Sequence, residues 1–249
     1  MNAPTILFKL DGRDVEALPG ETIIQTPHRL GRDIPHLCYK EGMRPDGNCR
    51  ACMVEIKGER VLAPSCCRHP AQGMEVVTDS DRARNSQRLV LELLLTDMPD
   101  RSYRLDSELD HWAKKLDVET PRFMPRAQPA PDESHHGISV HLAACIQCTR
   151  CVRACREEQV NDVIGYAYRG EHSKPVFDLD DPMSASTCVG CGECVQACPT
   201  GALMPARDVG LVKPDKKVHS VCPYCGVGCQ LTYHVKDNRL LFVQGRHGP

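Results

Sequence analysis

Cys145-Ile146-Gln147-Cys148-Thr149-Arg150-Cys151-Val152-Arg153-Ala154-Cys155 and Cys188-Val189-Gly190-Cys191-Gly192-Glu193-Cys194-Val195-Gln196-Ala197-Cys198-Pro199 are two copies of one pattern, C-x2-C-x2-C-x3-C. Three thiolates at this pitch can cap one face of a cubane. The spacing is the one that ligates 4Fe-4S clusters, with the fourth cysteine of each run serving the other cluster. That swap groups Cys145, Cys148 and Cys151 with Cys198, and Cys188, Cys191 and Cys194 with Cys155. The competing use of thiolates, a tetrahedral zinc site, usually draws two pairs from separate knuckles, and a full triple present twice argues against it. Gly190 and Gly192 are expected to remove side chains where the backbone wraps closely round an inorganic core.

Outside this repeat the composition points the same way. The 249 residues carry sixteen cysteines but only 4% aromatic residues and a single tryptophan, Trp112, so small metal-held units are expected in place of one large apolar core. A net charge of -2 leaves neither sign dominant and argues against nucleic acid or an anionic membrane as the main partner. No run approaches the roughly 18 apolar residues of a membrane span. Met1 to Asp11 lacks the regions of a secretory signal. A cytoplasmic location is therefore expected, where thiols serve as metal ligands or redox groups more often than as disulfides.

The cysteines divide the chain into three territories: Cys38 to Cys67, a stretch from 68 to 144 with none, and Cys145 to Cys229. In the first, Thr5 to Leu10 and Arg13 to Leu18 flank Asp11-Gly12 and read as a hairpin. A short helix is expected from Glu21, ended or kinked by Pro27, and further strands at Ala51 to Ile56 and Met74 to Thr78. Asp79 or Ser80 offers an N-cap for a helix over Asp81 to Thr96, with Leu89, Val90, Leu93 and Leu94 at helical spacing. A second helix is expected around Asp106 to Leu116, and Thr120 to Ser134 reads as a linker, so this stretch is a helical spacer. Cys38-x10-Cys49-x2-Cys52-x13-Cys66 departs from the C-x4-C-x2-C spacing of plant-type ferredoxins, yet its long first loop still lets four thiolates meet.

Two resemblances sharpen these readings. His36-Leu37-Cys38, Gly47-Asn48-Cys49-Arg50-Ala51-Cys52-Met53-Val54 and Leu62-Ala63-Pro64-Ser65-Cys66 resemble the N-terminal 2Fe-2S domain shared by the large iron–sulfur subunit of respiratory complex I, iron-only hydrogenases and NAD-linked formate dehydrogenases. The resemblance implies a 2Fe-2S cluster on Cys38, Cys49, Cys52 and Cys66; Cys67 is then a spare thiol, with the alternative that it is the fourth ligand. Cys222-Pro223-Tyr224-Cys225-Gly226-Val227-Gly228-Cys229 is similar to the opening of the molybdopterin oxidoreductase family, formate dehydrogenases in particular and assimilatory nitrate reductases next. It implies a further 4Fe-4S cluster on Cys222, Cys225 and Cys229, its fourth ligand beyond Pro249. A zinc ribbon or a three-cysteine redox site is the alternative for this run. The remaining spacing rules out a dinucleotide fingerprint at Gly226-Val227-Gly228.

The expected fold is thus α+β: a β-grasp 2Fe-2S ferredoxin domain (1–79), a helical bridge and linker (80–137), a double 4Fe-4S ferredoxin domain (138–210) and the truncated start of a molybdopterin oxidoreductase 4Fe-4S domain (216–249). The resemblance implies the electron-transfer part of a formate dehydrogenase catalytic subunit. Formate would be oxidised to carbon dioxide at a bis-molybdopterin guanine dinucleotide centre with molybdenum or tungsten, outside these residues. FMN and NAD would be bound by a flavin- and iron–sulfur-containing, NADH-dehydrogenase-like partner subunit. The alternative is a stand-alone carrier subunit of an NAD-linked hydrogenase or complex I-like enzyme. Many of these relatives carry a His-x3-Cys-x2-Cys-x5-Cys cluster after the 2Fe-2S domain; Asp97 to Tyr103 has no cysteine, so electrons are expected to pass directly between the two ferredoxin domains, the bridge setting their separation. His111, His135 and His136 read as surface or packing residues, and the pairs Glu157-Glu158 and Asp180-Asp181 as charged surface.

Overall fold

The structure, a computed structural model, describes residues 5–98, 107–206 and 213–246. Its first unit is built on the expected hairpin. Strands β1 (Ile6–Leu10) and β2 (Arg13–Ala17) pair antiparallel around Asp11 and Gly12, both at positive φ. Three short strands follow, β3 (Met53–Ile56), β4 (Ala63–Pro64) and β5 (Glu75–Val77), and close a five-stranded mixed sheet in the order β2-β1-β5-β3-β4. β5 runs parallel to β1. Phe8, Leu10, Val54, Ile56 and Val76 turn inward from it onto Ile23 and Ile24, just ahead of helix α1 (Gln25–Arg29).

Two expectations for this unit need correction. α1 begins at Gln25 instead of Glu21, because the Glu21 carboxylate is used before the helix: it accepts from the Leu18 N–H, the Thr26 hydroxyl and the Arg29 guanidinium. Pro27 then falls in the first turn, where its missing N–H is tolerated. β3 starts at Met53 and not Ala51, since Ala51 and Cys52 belong to the cysteine turn. β4 had no sequence signal; two residues are too few for an alternating pattern.

Helix α2 (Asp81–Thr96) has the expected bounds, with the Ser80 hydroxyl accepting from the Ala83 N–H. Its buried face is Ala83, Gln87, Leu91 and Leu95, whereas Leu89 and Leu93 are exposed. Gln87 donates to the Met53 and Thr78 carbonyls and so fastens the helix to the sheet. Helix α3 (Glu108–Lys115) opens with a reciprocal cap between Ser107 and Asp110; an earlier start at Asp106 lies outside the described residues. The irregular stretch after it is tied back onto α2, with Arg122 on Glu92 and Arg126 on Asp97.

In the second unit, β6 (Ile138–Val140) pairs with β9 (Leu203–Pro205), and β7 (Ile164–Ala167) with β8 (Lys174–Phe177). Between these ribbons lie two short helices, α4 (Arg150–Arg153), continuing as a π turn over Ala154–Glu158, and α5 (Glu193–Ala197). A three-stranded antiparallel sheet, β10 (Lys216–Val221), β11 (Gln230–Lys236) and β12 (Arg239–Gly245), forms the last unit.

The bridge is more than a spacer. Leu37 and Ala51 of the first unit, Leu91 and Leu95 of α2, Leu109 and Trp112 of α3, and Ala144, Ile146 and Ala202 of the second unit share one apolar core. The two cysteine-bearing units therefore touch, and the bridge clamps them from the side.

Candidate iron–sulfur sites

The loop from Cys38 to Cys52 and the turn after β4 bring four thiols together. Cys38, Cys52 and Cys66 are buried, and Cys49 is partly so. The contacts run Cys49 to Cys38, Cys38 to Cys66 and Cys66 to Cys52. These hydrogen bonds split the set: bonds from the Cys49 and Cys66 thiols hold Cys38 far below the ordinary thiol value, and the bond from Cys66 lowers Cys52. Cys49 and Cys66 are pushed up, first by the same bonds and then by burial. Backbone N–H groups also face sulfur, Cys38 N–H to Cys49 Sγ at 3.3 Å and Cys49 N–H to Cys38 Sγ at 3.5 Å.

Cys67 stands apart. It is exposed, its Sγ lies 3.6 Å from that of Cys66, and it rests against Gly47, where an added Cβ would approach it to 2.8 Å.

Both copies of the repeated motif use the same backbone device. The residue two after the first cysteine is left-handed and points its N–H at that cysteine's sulfur: Gln147 to Cys145 and Gly190 to Cys188, both at 3.4 Å. The residue after the second cysteine, Thr149 or Gly192, is left-handed as well. Conformation explains the two glycines better than clearance from protein atoms, since an added Cβ at Gly192 meets nothing within 4 Å.

Cys145, Cys148, Cys151 and Cys198 line one small cavity with Tyr166, Pro175 and Leu203. Cys194 feels the charges of Cys188, Cys191, Cys155 and Cys198. Burial pushes the Cys145 thiol up to about 11 and Cys194 to about 12, and raises Cys148 and Cys151 further. Desolvated thiols of this kind ionise only when a cation compensates, so metal loading would release their protons. The donor set suits iron–sulfur clusters: soft sulfur ligands, most of those in the first two units buried or partly so, with backbone N–H groups aimed at sulfur.

In the last unit Cys222, Cys225 and Cys229 lie in the loop joining β10 and β11, closed by the Cys222 N–H on the Cys229 carbonyl at 2.8 Å. Gly226 and Gly228 are both at positive φ. His111 and His136 are exposed as expected, while the His135 ring packs against the Gly190 position of the second motif. Asp180 and Glu157 lie at the surface, paired with Lys174 and Arg44.

Residues 3–81 match the 2Fe-2S iron-sulfur cluster binding domain family, residues 144–202 the 4Fe-4S dicluster domain family, and residues 215–248 the molybdopterin oxidoreductase Fe4S4 domain family. The chain is an iron–sulfur electron-transfer module. The module is 31% identical over 263 residues to a subunit of the NADH-quinone oxidoreductase of Rhizobium meliloti, covering 98% of this chain and 29% of that protein. It is 26% identical over 291 residues to the Staphylococcus haemolyticus protein named "Putative formate dehydrogenase", covering 97% of this chain and 29% of that protein. The module thus spans under a third of the length of these relatives. Among solved structures it resembles a chain of the NAD+-reducing [NiFe]-hydrogenase in the H2-reduced state, with a TM-score of 0.73 and 26% identity over 85% of this chain and 92% of that one. Among the described residues no helix is long and apolar enough to cross a membrane.

Sequence reading missed two residues of this region, Arg150 and Arg153. They lie between the cysteines of the first motif, three apart on α4, and both are buried. Arg150 grips the Glu108 carboxylate with both Nη atoms, at 2.7 and 2.9 Å, and reaches the Tyr39 carbonyl. Charged residues interleaved with ligands on a short helix were the available signal, since burying them there is costly without partners.

Proposed function

We propose that the module is the electron-transfer portion of a formate dehydrogenase catalytic subunit. It would carry electrons released by formate oxidation at a molybdenum or tungsten bis-pterin centre outside these residues toward a flavin- and NAD-binding partner subunit. In this reading Cys38, Cys49, Cys52 and Cys66 hold a 2Fe-2S cluster. Cys145, Cys148, Cys151 and Cys198 hold one 4Fe-4S cluster, and Cys188, Cys191, Cys194 and Cys155 a second. Cys222, Cys225 and Cys229 supply three ligands to another. When bound, the clusters provide one-electron transfer and nothing else. The protein's part is to desolvate the sulfurs, aim N–H groups at them and hold neighbouring sites at fixed spacing.

The observation that carries the formate reading is the Cys222–Cys229 hairpin loop within the molybdopterin oxidoreductase Fe4S4 match. A carrier subunit of an NAD-linked hydrogenase or complex I-like enzyme is the second reading, favoured by the structural likeness to the hydrogenase chain. Anaerobic elemental analysis of the intact protein, with formate- and hydrogen-dependent NAD+ reduction assayed on the same sample, separates them. The formate reading expects about 10 iron atoms from the three complete sites, more with the fourth, together with molybdenum or tungsten and formate-driven reduction. Iron without either metal and reduction driven by hydrogen alone would establish the second reading. Zinc in place of iron would overturn both.

A further inference from the structure

Arg153 is 3% exposed and lies where the first two units meet. Its Nη2 donates to the Cys38 carbonyl at 2.6 Å and to the Cys148 carbonyl at 3.3 Å, and its Nη1 to the Arg44 carbonyl at 2.5 Å. These partners are neutral, and its buried Nε has none. Arg150 is equally buried and its Nε also lacks a partner, but its charge is met by Glu108. A guanidinium withdrawn from water without a counter-ion is costly, so its charge needs compensation from elsewhere. One carbonyl it holds belongs to the Cys38 quartet and another to the Cys148 quartet, and both quartets become anionic on loading.

Resting on the cluster assignment proposed above, we infer that Arg153 is a shared positioning residue for the two adjoining centres. Its fixed charge raises the reduction potentials of the Cys38/Cys49/Cys52/Cys66 centre and the Cys145/Cys148/Cys151/Cys198 centre together, while its bridge between the Cys38 and Cys148 carbonyls sets their spacing. Reduction adds one negative charge to a centre, so a nearby cation favours the reduced form. Burial keeps the effect from being screened by salt. The centre at Cys155, Cys188, Cys191 and Cys194, none of whose carbonyls Arg153 holds, should respond less.

The test is an EPR-monitored redox titration of the full-length protein in its complex, after iron content has been measured. Arg153→Gln removes the charge but keeps a donor; Arg153→Lys keeps the charge but loses the planar two-carbonyl grip. Arg156→Gln, at an exposed residue paired with Asp162, is the control. Both potentials should fall in R153Q and stay near wild type in R153K and R156Q. Iron lost from both centres in R153Q but retained in R153K would support the same reading, because charge is what R153K preserves. Unmoved potentials in R153Q, or an equal fall in R153K, would overturn it, as would iron loss in both variants. If the wild-type protein lacks 2Fe-2S and 4Fe-4S signals, the cluster assignment itself fails, an outcome distinct from potentials that are present and unmoved.

Discussion

Adjacent in sequence, Cys66 and Cys67 are separated by their surroundings. Cys66 points into the quartet against Cys38 and Cys52; Cys67 points outward over Gly47. Cys66→Ser should abolish the visible absorption and EPR signal of the 2Fe-2S centre, and Cys67→Ser should retain both. The reverse pattern would make Cys67 the ligand. Glu21 supports a second prediction at this scale. Its carboxyl is held below the usual value of 4.5, chiefly by the hydrogen bond from Arg29 and also by the Leu18 N–H and the Thr26 hydroxyl, against the opposing effect of burial. A group depressed in the folded state binds fewer protons there than in the unfolded chain. Its stabilisation is therefore complete above the unfolded value and is lost as pH falls through the folded one. Glu21→Gln should lower the urea midpoint at neutral pH, and the gap from wild type should narrow as the solution is acidified. A gap that stays constant would remove Glu21 from the pH response.

Among the elements, α2 shows what sequence can and cannot specify. Its bounds were legible because Ser80 is a strong cap and Asp97-Met98-Pro99 stops the pattern. Its inward face was not, because Leu89, Val90, Leu91, Leu93, Leu94 and Leu95 place apolar residues almost all round. The choice is made by Ala83 and Gln87, a small residue and an amide that satisfies the Met53 carbonyl on β3 and the Thr78 carbonyl just past β5, which periodicity cannot see. Leu91→Ala should therefore cost about 2–5 kcal/mol of unfolding free energy, and Leu89→Ala no more than about 0.5 kcal/mol, measured by urea denaturation under anaerobic conditions. Equal losses would mean that the outer face is covered in solution. The cysteine motifs were readable for the opposite reason: most of their cysteines follow one another at intervals of three or four residues, so spacing alone gathers them. The roles of Arg150 and Arg153 were hidden because their partners, Tyr39 and Cys38, lie more than a hundred residues earlier.

Over the whole molecule the two ferredoxin-type units are built from different materials. The sheet unit has an apolar core of its own, Phe8, Leu10, Ile23, Ile24, Val54, Ile56 and Val76. The core of the second unit includes Cys155 and Cys194, with Cys145, Cys151, Cys188 and Cys198 packed against it, so much of its interior is thiol that the proposed clusters would bind. Where metal binding supplies the folding free energy, removing the metal unfolds the site's surroundings. Anaerobic chelation of the reduced protein should therefore erase amide-exchange protection around Val140, Ile164 and Leu203 before it reaches Leu10, Val54 and Val76. Trp112 reports the same event optically. It is the only tryptophan, it is 5% exposed, and it sits in the core shared by both units, so its emission should shift to the red as the second unit opens. Simultaneous loss of protection in both units would show instead that this shared core couples them into one cooperative whole, with the sheet unable to outlast its neighbour.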